Sequence, residues 1–266
     1  MTDASSAERP LAGRHAVVTG AAGGIGSAIA DELARLGAAL TLMGRRRERL
    51  ATKRDELRQI VDDVAEEVLD VTDAEAVPAA FTAAAARFGP VAILVNNAGA
   101  AESAPFRRTD AAMLERMLAV NFKGAFACAQ AALPGMLAAG HGRIVNVAST
   151  AGLTGYAYVA AYCAAKHALV GLTRALALEL AKTGVTVNAV CPGFTDTDLA
   201  ARAVEMIVAK TGRTAEAARA ELADTNPMGR LMTPQEIASA VTFLCLPQSG
   251  AITGQAIVVA GGEVMN

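Results

Sequence analysis

Apolar residues recur along this chain in two alternating rhythms. Short runs at Ala16–Thr19, Ala39–Met43, Val64–Leu69, Val91–Val95, Arg143–Val147, Val185–Val190 and Ala256–Val259 predict strands. Between them, apolar positions three and four apart predict helices over 25–36, 48–61, 73–88, 109–137, 158–182 and 233–244. In the first helix Ile29, Leu33 and Leu36 share a face, and Gly37 is placed to stop it. Pro134 should bend or end the long 109–137 helix, whereas Pro234 suits the first turn of the last one. Residues 196–225 read as helical and polar. Strands alternating with helices imply parallel βαβ units with right-handed crossovers. The expectation is an α/β fold: a single doubly wound domain over 13–266, with about seven parallel strands and helices on both faces, and a flexible lead at 1–12. Ligands of such sheets bind at the carboxyl ends of the strands, where the strand order reverses.

Composition narrows the class. A formal net charge of -2 on 266 residues argues against a dedicated nucleic-acid binder. A chain this long buries enough surface to need no disulfide or metal. Cys128, Cys163, Cys191 and Cys245 form no CxxC pair, and no His stands at ligand spacing from them, so they read as small buried hydrophobes in a reducing compartment. Residues 1–10 are polar, without the apolar run of a secretory signal. The charge-free stretches 124–142, 144–165 and 241–262 are long enough to span a membrane. Their Ala, Gly, Ser and Thr content, with Pro134, Asn146, Pro247 and Gln255 inside them, makes them core elements instead. A cytoplasmic protein is expected that binds neither membrane nor nucleic acid and holds no metal.

The candidate chemistry begins at Thr19-Gly20-Ala21-Ala22-Gly23-Gly24-Ile25-Gly26, which follows the first strand and opens the first helix. Gly20 permits a tight turn, Gly24 lets backbone approach a pyrophosphate, and Gly26 lets helix and strand come close. The helix N-terminus offers N–H groups and a positive dipole end to phosphate. An NAD-preferring chain would place Asp or Glu after the second strand; this one has Gly44-Arg45-Arg46-Arg47. A guanidinium suits a 2′-phosphate, so NADP(H) is favoured over NAD(H). Asp70, ending the third strand, could accept from an adenine amino group. Asn96-Asn97-Ala98-Gly99 ends the fourth strand, where Asn pins turns and small residues leave room.

Tyr162 and Lys166, at i and i+4, share one helix face. An ammonium beside a phenol favours phenolate, lowering a pKa ordinarily near ~10 toward general acid–base use. Ser149 ends the fifth strand and could hold a substrate oxygen beside the Tyr162 hydroxyl. Asn121 could bend the long helix or hold a water that joins Lys166 to solvent.

Together TGAAGGIG, NNAG, Asn121, Ser149, YCAAK and Pro192-Gly193-Phe194-Thr195-Asp196-Thr197 resemble, in order and spacing, the motifs of the short-chain dehydrogenase/reductase family, from about Gly13 to Gly262. The resemblance implies a Rossmann-type domain with a catalytic tetrad of Asn121, Ser149, Tyr162 and Lys166. It implies that Lys166 binds the nicotinamide ribose, with Thr195 and Thr197 near the nicotinamide and phosphates. The expected cofactor set is Gly20, Gly24, Ile25, Gly26, Arg45, Asp70, Val71, Asn97, Tyr162, Lys166, Thr195 and Thr197. The glycine loop lacks the Arg that many NADP-dependent relatives carry. Family members are commonly tetramers paired through the two long helices, which implies a homotetramer through 109–137 and 158–182.

The resemblance extends to ketoreductases of aromatic polyketide pathways, 3-oxoacyl thioester reductases and hydroxybutyrate dehydrogenases. A small carbonyl or alcohol is the implied partner, with a 3-oxoacyl thioester as the leading form. A segment at 196–227 would be the substrate lid. Its Arg202, Lys210, Arg213 and Arg219 could face a thioester's phosphopantetheine or nucleotide part. Two alternatives stand beside this: a catabolic dehydrogenase of a cyclic or aromatic secondary alcohol, and a non-catalytic nucleotide-binding scaffold.

Overall fold

The apolar runs become β1 (His15–Thr19), β2 (Ala39–Gly44), β3 (Val64–Val68), β4 (Val91–Asn96), β5 (Gly142–Val147), β6 (Val185–Pro192) and β7 (Ala256–Val259). The computed structural model of the chain describes residues 9–265. All seven strands pair in parallel in one sheet, in the order β3-β2-β1-β4-β5-β6-β7. The order reverses between β1 and β4, which puts the ligand crevice at their carboxyl ends.

The helices are α1 (Gly24–Arg35), α2 (Arg47–Leu57), α3 (Ala76–Phe88), α4 (Ala111–Leu118), α5 (Gly124–Ala138), α6 (Ala160–Leu180), α7 (Asp198–Thr211), α8 (Ala215–Asp224) and α9 (Pro234–Cys245). Successive strand residues serve opposite layers. Val18, Leu40, Leu42 and Val95 meet Ile29 and Leu33 of α1 and Ile237 and Val241 of α9. Val17, Met43, Leu94 and Val187 meet Phe81 of α3, Met136 of α5 and Leu180 of α6. Both faces of the sheet are therefore dry, as the continuous apolar strands require.

The structure departs from the sequence expectations in three places. The 109–137 segment is not one helix; it divides into α4 and α5 across a π turn at Ala119–Lys123. Pro134 lies inside α5 without ending it. The break falls at Asn121, whose side chain draws the helix toward a neighbouring loop, as described below. The helix expected from 158 starts at Ala160, because Tyr158 has φ +69, which a right-handed helix does not accommodate. The polar 196–225 segment is helical as expected, in two pieces, α7 and α8. Residues 1–8 of the expected lead lie outside the described residues, but Leu11 is only 1% exposed and its N–H donates to Leu36 O at 2.9 Å.

Pro234 occupies the first turn of α9, beside a capping box of Thr233 and Glu236. The charge-free stretches run through α5, from β5 into α6, and from α9 through β7. Among the described residues no helix is long and apolar enough to cross a membrane, and no group of three His, Cys, Asp or Glu could hold a metal ion. The four cysteines are free, and burial pushes the Cys128 and Cys245 thiols up to about 12. Of the histidines, His15 is buried between Gly89 O at 2.8 Å and Thr41 Oγ1 at 2.9 Å.

Candidate active site

The glycine loop joins β1 to α1. Gly20 has φ +65 and Gly24 φ +52, a conformation open chiefly to glycine. A Cβ on residue 26 would lie 2.3 Å from Gly20 O and 2.4 Å from Asn97 Nδ2, so α1 reaches the loop only because residue 26 has no side chain. The expected clearance at Gly24 has a second cause: a Cβ there would lie 3.1 Å from Thr197 Cγ2, on the segment leading into α7. No side chain caps the start of α1 and no acid stands in its first turn. Its first N–H groups and positive dipole end therefore suit an anion. This cradle fits the pyrophosphate of a dinucleotide.

Asn97 ties β4 to that loop. Its Nδ2 donates to Thr19 O at 3.0 Å and Gly20 O at 3.2 Å, while the N–H groups of Asn97 and Ala98 donate to Thr19 Oγ1 at 3.0 and 3.1 Å. Asn96 points into the core. Its Nδ2 donates to Asn146 Oδ1 at 2.9 Å, and Asn146 Nδ2 donates to Thr173 Oγ1 at 2.9 Å. Asn96 is thus a structural residue that binds β4, β5 and α6 together.

At the far end of the crevice Arg45 leaves β2 and comes within 3.7 Å of Asp70, its side chain 75% exposed. Burial pushes Asp70 up, but bonds from Thr72 and the charge of Arg45 outweigh it and hold the carboxyl below its usual range. Arg46 caps α2 and Arg47 opens it, both exposed. Arg49, which the sequence reading left aside, meets Asp198 of α7 at 3.2 Å. Val71 is buried against Gly124, and Ile25 lies against the α1 layer. Thr195 is buried; its Oγ1 donates to Gly193 O at 3.0 Å.

The four expected catalytic residues come from three elements. Ser149 follows β5, and its Oγ accepts the Ala151 N–H at 3.1 Å, closing a short turn over Thr150–Gly152. Tyr162 and Lys166 lie in the first turns of α6, with Lys166 Nζ 5.7 Å from the centre of the Tyr162 ring. Lys166 is 4% exposed and donates to Val147 O at 2.9 Å. Asn121 is 1% exposed. Its Nδ2 donates to Ala100 O at 2.8 Å and Met117 O at 3.0 Å, and its Oδ1 accepts the Ala100 N–H at 3.2 Å. These bonds pull the helix into its π turn, a common distortion at functional sites. Gly99 separates Asn121 from Lys166: a Cβ on it would lie 2.8 Å from Asn121 Oδ1 and 3.7 Å from Lys166 Nζ.

The electrostatics differ from expectation. Burial lifts the Tyr162 phenol to about 12, and the neighbouring Ser149 hydroxyl offsets only part of the rise. Burial also brings Lys166 down to about 8. In the protein alone, desolvation prevails over the attraction that the Tyr–Lys spacing suggested.

Sequence reading also missed Tyr156 and Glu263, 107 positions apart, whose side chains meet at 2.5 Å beside Thr150. No spacing rule links a loop residue to the chain end. The cations of the 196–227 segment differ from expectation too: Arg219 grips Asp196 through two bonds of 3.0 and 2.6 Å, and Arg213 pairs with Glu221. Of the four proposed thioester contacts, these two are occupied.

A phenol, an ammonium and a hydroxyl thus stand beside a dinucleotide-shaped cradle, a combination suited to proton transfer coupled to hydride exchange. Comparison with known proteins agrees. The chain is 42% identical over 249 residues to a Streptomyces violaceoruber protein named as ketoacyl reductase 1 of the granaticin polyketide synthase, covering 93% of this chain and 92% of that one. It is 40% identical over 257 residues to cis-4-hydroxycyclohexanecarboxylate dehydrogenase of Sinomonas cyclohexanicum, covering 95% and 97%. A crystal structure of a point variant of the actinorhodin polyketide ketoreductase with NADPH superposes with a TM-score of 0.90 at 38% identity, covering 94% of this chain and 97% of that one. Residues 14–208 match the short chain dehydrogenase family, and the chain is a member of it, an oxidoreductase.

Proposed function

We propose that this enzyme interconverts a ketone and a secondary alcohol with NADP(H), using Tyr162 as general acid and base, and that its substrate is a 3-oxoacyl or 3-hydroxyacyl compound. The observation that carries this reading is the meeting of Ser149, Tyr162 and Lys166 at the carboxyl end of β5, with Lys166 Nζ 5.7 Å from the Tyr162 ring. The relatives named ketoacyl reductase support the substrate class, and the NADPH of the superposed structure supports the cofactor.

The glycine loop and the α1 N-terminus would hold the cofactor's pyrophosphate, and Arg45 and Asp70 its adenosine end. Bound there, a nicotinamide supplies or accepts the hydride. Ser149, its Oγ accepting the Ala151 N–H, turns its own O–H toward Tyr162, where a carbonyl oxygen would meet both hydroxyls. Tyr162, lifted by burial to about 12, is protonated at neutral pH and delivers a proton to that oxygen. Lys166, brought to about 8, titrates near the working range and can return a proton to Tyr162. Asn121 fixes Ala100 and the π turn between that loop and Lys166. A protonated phenol suits reduction; oxidation needs phenolate and gains with rising pH.

The Tyr162→Phe variant should lose at least about 100-fold in kcat while a titration that follows NADPH's own fluorescence still gives an unchanged Kd. Retained turnover overturns the assignment. A second reading, dehydrogenation of a cyclic secondary alcohol, is favoured by the occupied lid cations Arg213 and Arg219 and by the cyclohexane-type relative. Acetoacetyl-CoA against cyclic ketones, each with NADPH, separates the two. We further infer a lid over 196–227 and a homotetramer through the 109–137 and 158–182 segments, where Phe126 and Leu178 stand 40% and 82% exposed.

A further inference from the structure

Tyr156 lies in the loop between Ser149 and Tyr162, outside the set assigned above. Its hydroxyl is 2.5 Å from Glu263 Oε1 and 2.8 Å from Thr150 Oγ1. Its ring meets Phe194 edge-on, with centres 6.5 Å apart. One phenol therefore joins the residue after Ser149, the root of the lid and the segment beyond β7. The other carboxyl oxygen of Glu263 is buried against residue 193, where a Cβ would come within 2.5 Å of it.

The protons give this cluster a direction. A phenol has one proton, and an ionised carboxylate only accepts. Glu263 therefore takes the Tyr156 proton, which leaves the Tyr156 oxygen to accept from the Thr150 hydroxyl. Thr150 opens the short turn whose Ala151 N–H donates to Ser149 Oγ at 3.1 Å. The orientation of that turn decides where the remaining Ser149 O–H points.

We propose that Glu263 and Tyr156 are a positioning pair for Ser149: Glu263 holds Tyr156, Tyr156 holds Thr150, and the turn so fixed aims the Ser149 hydroxyl. The proposal rests on the reading of Ser149 as the group that binds the carbonyl oxygen.

The test uses the full chain with NADPH and a ketone that the wild type reduces. Tyr156→Phe, which keeps the ring against Phe194, and Glu263→Leu should each lower kcat roughly tenfold, because a misaimed hydroxyl fits the transition state less well. NADPH affinity should stay unchanged. Glu263→Gln, which retains an acceptor oxygen, should restore most of the rate. In a Ser149→Ala background, Glu263→Leu should remove less than about twofold more, since the group it aims is gone. Thermal melts and the NADPH titration establish that each variant is folded.

Additive losses with Ser149→Ala, or Glu263→Gln as slow as Glu263→Leu, overturn the pair. If Ser149→Ala costs activity and the pair variants do not, the pair fails while the Ser149 reading stands. If Ser149→Ala leaves kcat unchanged, both fall.

Discussion

Replacing Gly26 by Ala tests the most crowded contact in the site. The added Cβ would lie 2.3 Å from Gly20 O and 2.4 Å from Asn97 Nδ2, distances that real Cβ atoms do not tolerate. Neither neighbour can swing away: one is backbone, and the other holds Thr19 O and Gly20 O at 3.0 and 3.2 Å. Helix α1 must therefore back off by about 1 Å, loosening Ile29 and Leu33, both fully buried. Overfilling a close-packed site costs about 1–3 kcal/mol, and losing an amide bond adds about 1 kcal/mol. A total near 3 kcal/mol moves the urea midpoint down by about 1 M at a slope near 3 kcal/mol/M. The same retreat displaces the helix N-terminus, so NADPH affinity should fall at least about tenfold. Gly155→Ala, with nothing near its Cβ, is the control and should leave both readings unchanged. A Gly26→Ala protein with the wild-type midpoint and wild-type NADPH affinity would refute the close-approach argument.

Other variants probe the remaining parts. Arg45→Glu should lower the NADPH-to-NADH ratio of kcat/KM by at least roughly tenfold, with the melting temperature nearly unmoved, since its pair with Asp70 is exposed and worth only about 0–1 kcal/mol. Asn146→Ala removes the partner of Asn96 and Thr173 and should cost about 2–4 kcal/mol in urea unfolding. Lys166 falls from 10.5 to about 8 on burial, so between those pH values the folded chain binds fewer protons than the unfolded one. Stability should therefore rise with pH across that window relative to Lys166→Met, by at most about 3 kcal/mol, and a flat difference would contradict it.

The strands and the crevice were legible because a parallel sheet buried on both faces writes its strands as apolar runs, and Gly20 and Gly26 answer to contacts only one residue type permits. The break at Asn121 was half legible. A helix-bending amide was foreseen there, yet Pro134 looked the stronger breaker. What decides is tertiary: Ala100 offers both a donor and an acceptor to the Asn121 amide, and nothing near residue 121 in sequence announces residue 100. The Tyr162 titration was misjudged for a related reason. Spacing reports that an ammonium is near, but not that Tyr162 packs against Met117, Ala161 and Ala165 or that Lys166 is itself buried. Arg213 and Arg219 look like ligand contacts in the sequence because spacing alone pairs neither with its partner, Glu221 eight positions on and Asp196 twenty-three positions back.

The sheet order carries a consequence for biosynthesis. β1 is flanked by β2 and β4, and β4 begins at Val91, roughly 70 residues after β1 ends. At about 5–20 residues per second, a ribosome needs roughly 4–15 s to supply that second neighbour. During this interval one edge of β1, with Val17 and Val18 on it, can pair with any strand it meets. A strand buried along its whole length in the finished enzyme is thus an adhesive part of the nascent chain. Slow codons placed before Val91 should raise the aggregated fraction, whereas the same codons placed after Asn96 should not.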